Sequence, residues 1–298
     1  MQTNRKQLCR CDLNLYILMV IVSALSIPIE QAQCQTNQPS KYRPVVVQYP
    51  PPEIDIPYPL ALLQAQVKRS PDNFTIHFYL MCGYAQRGQW EQSLQHALQA
   101  RRLDRSNVNT HLGTIYAYAN LGRWQQAYEA VQASLKLSFD AQARSALLRV
   151  KGDLLMDRYT LTHQKNLLQQ ALSIYQQAQQ ADHTNIQAII GIARVEIERR
   201  SYQVAKQRLQ KALSQVRVNE PGGYRRKALV LYYLGVIEER QGRLKEAERL
   251  YQEAVRMHSP SFFPFTEAEL KGYAILGLLG LKQAQEVQES QKVKHIPK

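Results

Sequence analysis

The sequence predicts an all-α protein in which antiparallel helix pairs stack into a solenoid. The two tryptophans, Trp90 and Trp124, each stand two residues after a glycine, Gly88 or Gly122, and similar residues surround both. A self-match at a fixed period, here of about 34 residues, indicates stacked structural repeats. Strand signals are scarce, since the one strongly β-branched run, at 45–47, lies among prolines.

The period extends beyond the tryptophans. His77 aligns with His111 and Tyr84 with Tyr118 at the same spacing. The frame predicts five repeats, of which the third is about seven residues longer than the others because extra residues lengthen its turn near 159–165. The predicted repeats are 74–107, 108–141, 145–185, 186–219 and 228–261.

These residues, above all the stretches 88–94 and 122–128, resemble the tetratricopeptide repeat family. Its pattern is a helix–turn–helix of about 34 residues, with small residues where helices cross and aromatic residues in the gaps. The resemblance covers about 74–261 and implies a right-handed superhelix. Ile115 and Arg200 depart from the pattern, since the family favours a small residue at the first position and a turn glycine at the second. Most of the prolines that end repeats in this family are also missing.

The helices follow from local patterns. Within 94–100, apolar residues recur at steps of three and four, which places them on one helical face. Gly88, Gly122 and Gly242 stand where the first helix of a pair should end, because glycine tolerates the positive φ of a helix C-terminus.

Small and aromatic residues are predicted to control helix packing. Ala127, Ala205 and Ala247 are small where the two helices of a repeat press together. Trp90 and Trp124 are predicted to be wedges between helices, so that truncation of either to alanine would cost about 3–5 kcal/mol.

The predicted solenoid domain spans 59–285. A half-repeat at 59–73 caps its start, and an unusually apolar helix at 266–285 closes its end, because a terminal repeat cannot leave its inner face in water. Residues 286–298 form a polar tail.

The N-terminus resembles an export signal. Basic residues precede the apolar run 15–22, and the small residues Ala24 and Ser26 follow it. This arrangement is typical of a secretory signal. We therefore interpret 1–34 as a signal peptide or an uncleaved signal anchor, which predicts an exported protein that is periplasmic, otherwise extracytoplasmic, or membrane-anchored.

A proline-rich linker is predicted at 35–58. Seven of the 13 prolines lie between Pro39 and Pro59. Such a composition favours an extended, semi-rigid spacer.

Catalytic patterns are missing from the sequence. It contains no phosphate-binding glycine loop, nucleophile elbow or metalloprotease helix motif. His77 and His111 recur at the repeat period, which indicates a structural role, and Asp153 and Asp157 are interpreted as a solvated pair on one helix face. No catalytic residue, cofactor or metal site is predicted, and the protein is predicted not to be an enzyme.

The family resemblance implies a binding groove on the concave face, lined by the first helix of each repeat. Such a groove suits an extended peptide or a helix from another protein. Several of these residues are equally expected to be solvated or buried between neighbours. By register, the predicted groove residues are Phe78, Tyr116, Asn120, Arg149, Asp153, Arg194, Glu198, Tyr232 and Arg240.

Charge suggests a second surface. The formal net charge is +14, and the fourth repeat is rich in basic residues. A basic cluster favours acidic partners, anionic lipid or nucleic acid, although export argues against nucleic acid. The predicted basic patch comprises Arg199, Arg200, Lys206, Arg208, Lys211, Arg225, Arg226 and Lys227.

Two functions are compatible with the sequence. The first is a non-enzymatic scaffold or adaptor, exported or membrane-tethered, that binds a partner protein in the groove. The alternative is a binder of acidic partners, an anionic membrane surface or nucleic acid through the basic fourth repeat. The sequence does not identify the partner.

Overall fold

The computed structural model of the protein describes residues 56–220 and 222–257. This part of the chain contains eleven α-helices and no strand. The helices are α1 (Leu60–Arg69), α2 (Phe74–Gln86), α3 (Trp90–Leu103), α4 (Val108–Asn120), α5 (Trp124–Leu135), α6 (Ala141–Thr162), α7 (Lys165–Ala181), α8 (Ile186–Glu198), α9 (Tyr202–Gln215), α10 (Gly223–Arg240) and α11 (Leu244–Arg256).

The helices form antiparallel pairs that stack in chain order. The pairs are α2–α3, α4–α5, α6–α7, α8–α9 and α10–α11, and α1 packs on α2 as a half-repeat. The first helices of successive pairs also pack on one another, whereas the second helices make no comparable packing among themselves in the described chain. The stack therefore curves with the first helices on its inner side, and we call their common surface the inner wall.

Short polar side chains start the first helices. The side-chain oxygens of Asn73, Asn107, Asp140 and Asn185 each accept a hydrogen bond from a backbone N–H two or three residues later, at 2.7–3.1 Å. Such N-caps satisfy donors that a helix start leaves unpaired, and each contributes about 1 kcal/mol.

A left-handed residue ends three of the first helices and reverses the chain. Gly88, Gly122 and Gly242 have φ of 68°, 70° and 78°. Arg200 occupies the same place in the fourth pair with φ of 62°. The fourth turn therefore keeps the geometry of the others without its glycine, at a conformational cost of about 1–2 kcal/mol.

Glycines in the first helices admit the rings of the second helices. A Cβ atom on Gly152 or Gly191 would lie 2.5 or 2.4 Å from Cε1 of Tyr175, and one on Gly235 would lie 2.6 Å from Cε1 of Tyr251. Both tyrosine side chains are fully buried. These tyrosines fill the spaces between helices, and each needs the missing side chain of its glycine.

The predicted role of the tryptophans is wrong for Trp124, whose side chain is 37% exposed. Trp90 is half-buried. Both are the first residue of a second helix, as is Tyr202 in the fourth pair. A side chain on the first residue of a second helix lies at the end of the helix pair. It therefore cannot enter the space between successive first helices that Tyr175 fills.

Two repeats start earlier than predicted. The third pair begins at Ala141, because Asp140 caps it, and not at 145. The fifth begins at Gly223, after Gly222 with φ of 73°, and not at 228. The extra residues of the third repeat do not lengthen its turn. They are helical, giving α6 22 residues against 13 in the other first helices α2, α4 and α8.

Several predicted segments lie outside the described residues. They are the signal segment 1–34, nearly all of the linker 35–58, the capping helix 266–285 and the tail 286–298. Among the helices that the structure does describe, none combines the length and the apolar character that a membrane span requires.

The turn residues give a reciprocal test. A Cβ atom on Gly122 would meet nothing within 4 Å, so that Gly122→Arg should act through backbone strain alone and lower the free energy of unfolding by about 1–2 kcal/mol. Arg200→Gly should act in the opposite direction and raise it by about 0.5–1 kcal/mol. Urea denaturation followed by circular dichroism measures both.

Arg200→Ala is the matched control, because it removes the same side chain but keeps the strained backbone. If the glycine variant is no more stable than the alanine variant, strain at residue 200 is not significant.

Candidate binding surface

The inner wall carries a buried polar cluster with Asp153 of α6 at its centre. The carboxylate of Asp153 accepts hydrogen bonds from Arg149 Nη1 at 2.5 Å, Tyr175 Oη at 2.6 Å and Arg194 Nη1 at 3.1 Å. Hydrogen bonds of this kind to an ionised group are stronger than those between neutral groups. One carboxylate thus joins α6, α7 and α8.

The cluster continues in both directions along the stack. Arg149 Nη2 donates to Tyr116 Oη of α4 at 2.5 Å. Arg194 lies 3.8 Å from Asp157 Oδ1 and 5.9 Å from the ring centroid of Tyr233 in α10. The Asp153 cluster, which we define as Tyr116, Arg149, Asp153, Asp157, Tyr175, Arg194 and Tyr233, therefore connects four consecutive first helices.

Burial and neighbouring groups together fix the protonation states of Tyr175 and Arg194. Burial raises the pKa of Tyr175 well above its ordinary value, and the neighbouring Asp153 carboxylate adds to this rise, so that the hydroxyl remains a donor. For Arg194, burial alone would lower the pKa. The neighbours Tyr233, Tyr175 and Asp153 outweigh it, and the pKa lies well above its ordinary value. Both side chains hold their protons at physiological pH.

Four of the nine predicted groove residues belong to this cluster. Tyr116, Arg149, Asp153 and Arg194 are only 6–8% exposed. They join the repeats and offer little surface to a partner. Asp157 is 5% exposed, so the interpretation of Asp153 and Asp157 as a solvated pair is wrong. Both carboxylates are buried because arginines from α6 and α8 compensate their charge.

The other predicted groove residues are dispersed. Phe78 is half-buried against Met81 and Cys82. Tyr232 is 8% exposed and lies in the core, with its ring 5.6 Å from that of Tyr251. Asn120 donates within its own helix to the carbonyl of Tyr116.

Glu198 and Arg240 form one ion pair. Arg240 Nη2 lies 2.8 Å from Glu198 Oε1, and its Nη1 donates to the Ile197 carbonyl at 3.3 Å. Both side chains keep some exposure. This pair links α8 to α10.

Tyr175 and Tyr233 are members of the cluster that the sequence does not predict for the inner wall. Tyr175 belongs to a second helix, and Tyr233 follows the position that the family register assigns to the groove. The signal that could have found Tyr175 is its match to Tyr251, since an alanine follows each of them three residues later.

Three of the eight residues in the predicted basic patch are paired with carboxylates. Lys206 pairs with Glu238 at 2.7 Å, Arg208 pairs with Glu196 through two nitrogens, and Arg226 lies 3.7 Å from a Glu220 oxygen. Arg199 Nη2 donates a hydrogen bond to the neutral side chain of Gln169. Arg200 and Lys211 are exposed, while Arg225 and Lys227 are half-buried. The structure does not bring the eight residues together as one open cationic surface.

The two periodic histidines hold the connections between repeats. Nε2 of His77 lies 2.7 Å from the Pro71 carbonyl, and Nε2 of His111 lies 3.0 Å from the Arg105 carbonyl. Nδ1 of His77 lies 2.9 Å from Nδ1 of His96, so only one of these two atoms carries a proton in the bonded pair. Burial lowers the pKa of His96 to about 4, and repulsion from His77 contributes.

Reactive or metal-binding groups are scarce in the described ranges. Within 56–220 and 222–257, no three His, Cys, Asp or Glu side chains lie close enough to hold a metal ion. Burial raises the pKa of Cys82 to about 12, so that its thiol stays protonated and unreactive at neutral pH.

Comparison with known proteins supports the fold. Residues 186–259 match the tetratricopeptide repeat family model. A thermophilic tetratricopeptide-repeat protein of Thermus thermophilus superposes with a TM-score of 0.56 at 16% identity, over 70% of this chain and 100% of that chain. The APC/C heterotetramer Cut9–Hcn1 contains a chain with a TM-score of 0.54 at 16% identity, over 74% of this chain and 42% of that chain. No curated protein matches the chain in sequence.

These findings confirm the all-α solenoid class, and residues 186–259 are similar to tetratricopeptide repeats, as the sequence predicts. At identities this low, the likeness to solved structures concerns the fold alone.

The Asp153 cluster predicts two graded stability losses. Asp153→Asn removes the charge that compensates Arg149 and Arg194, and should lower the free energy of unfolding by about 3–5 kcal/mol. Tyr175→Phe keeps the ring and removes one hydrogen bond to a charged group, which should cost about 1.5–3 kcal/mol. Urea denaturation measures both. Tyr118→Phe is the control, since half-buried Tyr118 makes no described hydrogen bond to the cluster, and an equal loss there would contradict the assignment.

His96 predicts a pH dependence. Its pKa is about 4 in the folded chain and 6.5 for an ordinary histidine, so that the unfolded chain binds an extra proton between these values. Stability should therefore fall as the pH drops from 6.5 to 4, by about 1–2 kcal/mol after allowance for partial solvent exposure. His96→Gln should flatten this part of the curve in thermal melts at each pH. His183→Gln changes an exposed histidine instead, and a similar flattening by it would exclude the His77–His96 pair as the cause.

Proposed function

We propose that this tetratricopeptide-repeat protein is a non-enzymatic scaffold that binds a segment of another protein along its inner wall. The observation that supports the proposal is the continuous packing of first helices from α2 to α10. A wall of this kind offers one long surface built from several repeats, which suits an extended peptide or a helix.

The start of the inner wall supplies the apolar contacts in this proposal. Phe78 of α2 and Leu112 of α4 stand at equivalent positions of successive repeats, and both are half-buried. Half-exposed apolar side chains on a rigid element serve as anchors for a partner's apolar side chains. The Asp153 cluster then joins α4, which carries Leu112, to the later first helices, and such preorganisation lowers the entropic cost of binding.

Export or membrane tethering is part of the proposal and depends on the sequence of 1–34. The basic start, the apolar run 15–22 and the small residues that follow support it. The protein would then meet its partner outside the cytoplasm.

The fourth repeat offers less support for the alternative function. Its cations Lys206 and Arg208 are paired with carboxylates, and these pairs lower the positive potential that an acidic partner would need. Groove binding is therefore the function that we favour.

Removal of the apolar anchors tests the proposal. Phe78→Ala combined with Leu112→Ala should weaken capture of the partner by roughly tenfold or more, because anchors of this type typically contribute more than about 1 kcal/mol each. Affinity purification from the native source with mass spectrometry identifies proteins that the parent chain captures and the variant loses. Titration with the identified partner then measures the change in Kd.

Leu98→Ala combined with Leu137→Ala is the matched control. Both leucines are exposed and lie outside the first helices. Equal capture by the parent and the anchor variant, at unchanged melting temperature, would place binding elsewhere. The N-terminal residue of the purified chain tests export, since removal of the signal creates a new N-terminus.

A further inference from the structure

One edge of the stack concentrates cations that have few partners. It is the edge where each second helix ends and the next first helix begins, and its first three connections are 68–73, 101–107 and 136–144. They contain seven basic residues and three carboxylates. We call the basic residues the basic edge: Lys68, Arg69, Arg101, Arg102, Arg105, Lys136 and Arg144.

Contacts between repeats place these cations in a row. Lys68, Arg102 and Lys136 follow one another at the repeat period, at the ends of α1, α3 and α5. Arg102 Nη2 lies 3.3 Å from Asp72 Oδ1 in the preceding connection, which ties the two connections together. The spacing of the row is therefore the spacing of the repeats.

The carboxylates of these connections are largely engaged with the backbone. Asp104 Oδ1 accepts hydrogen bonds from the N–H and the hydroxyl of Ser106, and Asp140 Oδ1 accepts one from the Ala143 N–H. Among the three, only Asp72 forms a described ion pair, and that pair is exposed. The seven cations outnumber the three carboxylates, so these connections keep a formal excess of four positive charges.

Most of the basic edge is open to solvent. Lys68, Arg69, Arg105, Lys136 and Arg144 are all exposed, and none forms an ion pair with another described residue. In the fourth repeat, Lys206 and Arg208 are paired with carboxylates, while Arg199, Arg200 and Lys211 are exposed. The basic edge thus holds five exposed cations that form no ion pair with another described residue.

Helix stability accounts for only part of this arrangement. Cations near a helix C-terminus interact favourably with the helix dipole, and this explains Lys68 and Arg102. Arg105 lies in a connection beyond the helix. Arg144 lies in the first turn of α6, where the dipole disfavours a positive charge.

We propose that the basic edge binds a membrane surface containing anionic phospholipid. The cations belong to three successive connections on one edge of the stack, so an anionic surface at this edge can contact cations from several repeats. Each Lys or Arg near an anionic bilayer strengthens attachment roughly fivefold. Six of the seven cations are exposed and Arg101 is half-buried, which suits contact with a diffuse layer of headgroups.

Other polyanions fit the basic edge less well. Single-stranded nucleic acid requires aromatic rings on which bases stack. Phe139 is the one aromatic residue in the three connections, and its ring packs edge-on against His111 at 5.3 Å. An acidic protein would need a shaped surface with satisfied polar groups.

Vesicle binding by the full chain tests the proposal. The probe is phosphatidylcholine vesicles with or without phosphatidylglycerol, measured by co-sedimentation over a range of salt concentrations. The parent should bind the anionic vesicles more tightly, and salt should reduce the difference. Lys68→Gln, Arg105→Gln and Lys136→Gln together should lower partitioning on the order of a hundredfold.

A matched variant removes the same charge from the opposite edge. Arg87→Gln, Arg158→Gln and Lys165→Gln change three exposed cations near the turns within repeats. This variant should retain most of the parent's preference for anionic vesicles. Melting temperatures verify that both variants are folded, because substitutions at exposed sites of this kind usually leave stability nearly unchanged.

Three results would overturn the proposal. The first is equal binding of the parent to neutral and anionic vesicles, which would assign attachment to the apolar N-terminal segment. The second is an equal loss in both triple variants, which would show that net charge and not the edge is responsible. The third is that duplex DNA or polyglutamate binds through the same three residues while anionic vesicles do not.

Discussion

Close packing of one first helix on the next is the constraint on which the rest of the structure depends. This packing requires a glycine at each position of a first helix where a tyrosine ring from a second helix enters. The ring of Tyr175 lies against both Gly152 and Gly191, in successive first helices. Because one ring contacts two repeats, a Cβ atom on either glycine would disturb the interface between them. The curvature of the inner wall, and thus any surface that a partner meets, follows from these contacts.

The Asp153 cluster fixes the relative positions of helices whose apolar packing is otherwise non-specific. Apolar side chains alone would tolerate small shifts of one helix along another. The Asp153 carboxylate accepts hydrogen bonds from Arg149, Tyr175 and Arg194 at once. It does not tolerate such a shift, because the shift would leave a buried charge uncompensated. We expect this cluster to fix the register of the middle repeats, while the first repeat depends on the weaker His77–His96 contact.

Much of the fold can be predicted from the sequence, and the reasons are local. Turn glycines such as Gly122 and small residues such as Ala127 act through their own backbone or size, so a fixed period reveals them. The prediction for Trp124 is wrong because its place at a helix start, and not its size, determines its burial. The prediction for Asp157 is wrong because its compensating arginine, Arg194, lies on another helix. Which cations remain unpaired also depends on ion pairs between repeats, such as that of Lys206. Spacing along the chain does not reveal these pairs.

The long third pair has a consequence for how other molecules can approach. With a rise of about 1.5 Å per residue, the 22 residues of α6 span about 33 Å, against about 20 Å for a first helix of 13 residues. The first helix of the third pair is therefore about 13 Å longer than those of its two neighbours, α4 and α8. A partner segment that follows the inner wall would meet this added length midway along the stack, where the wall differs from its regular repeats.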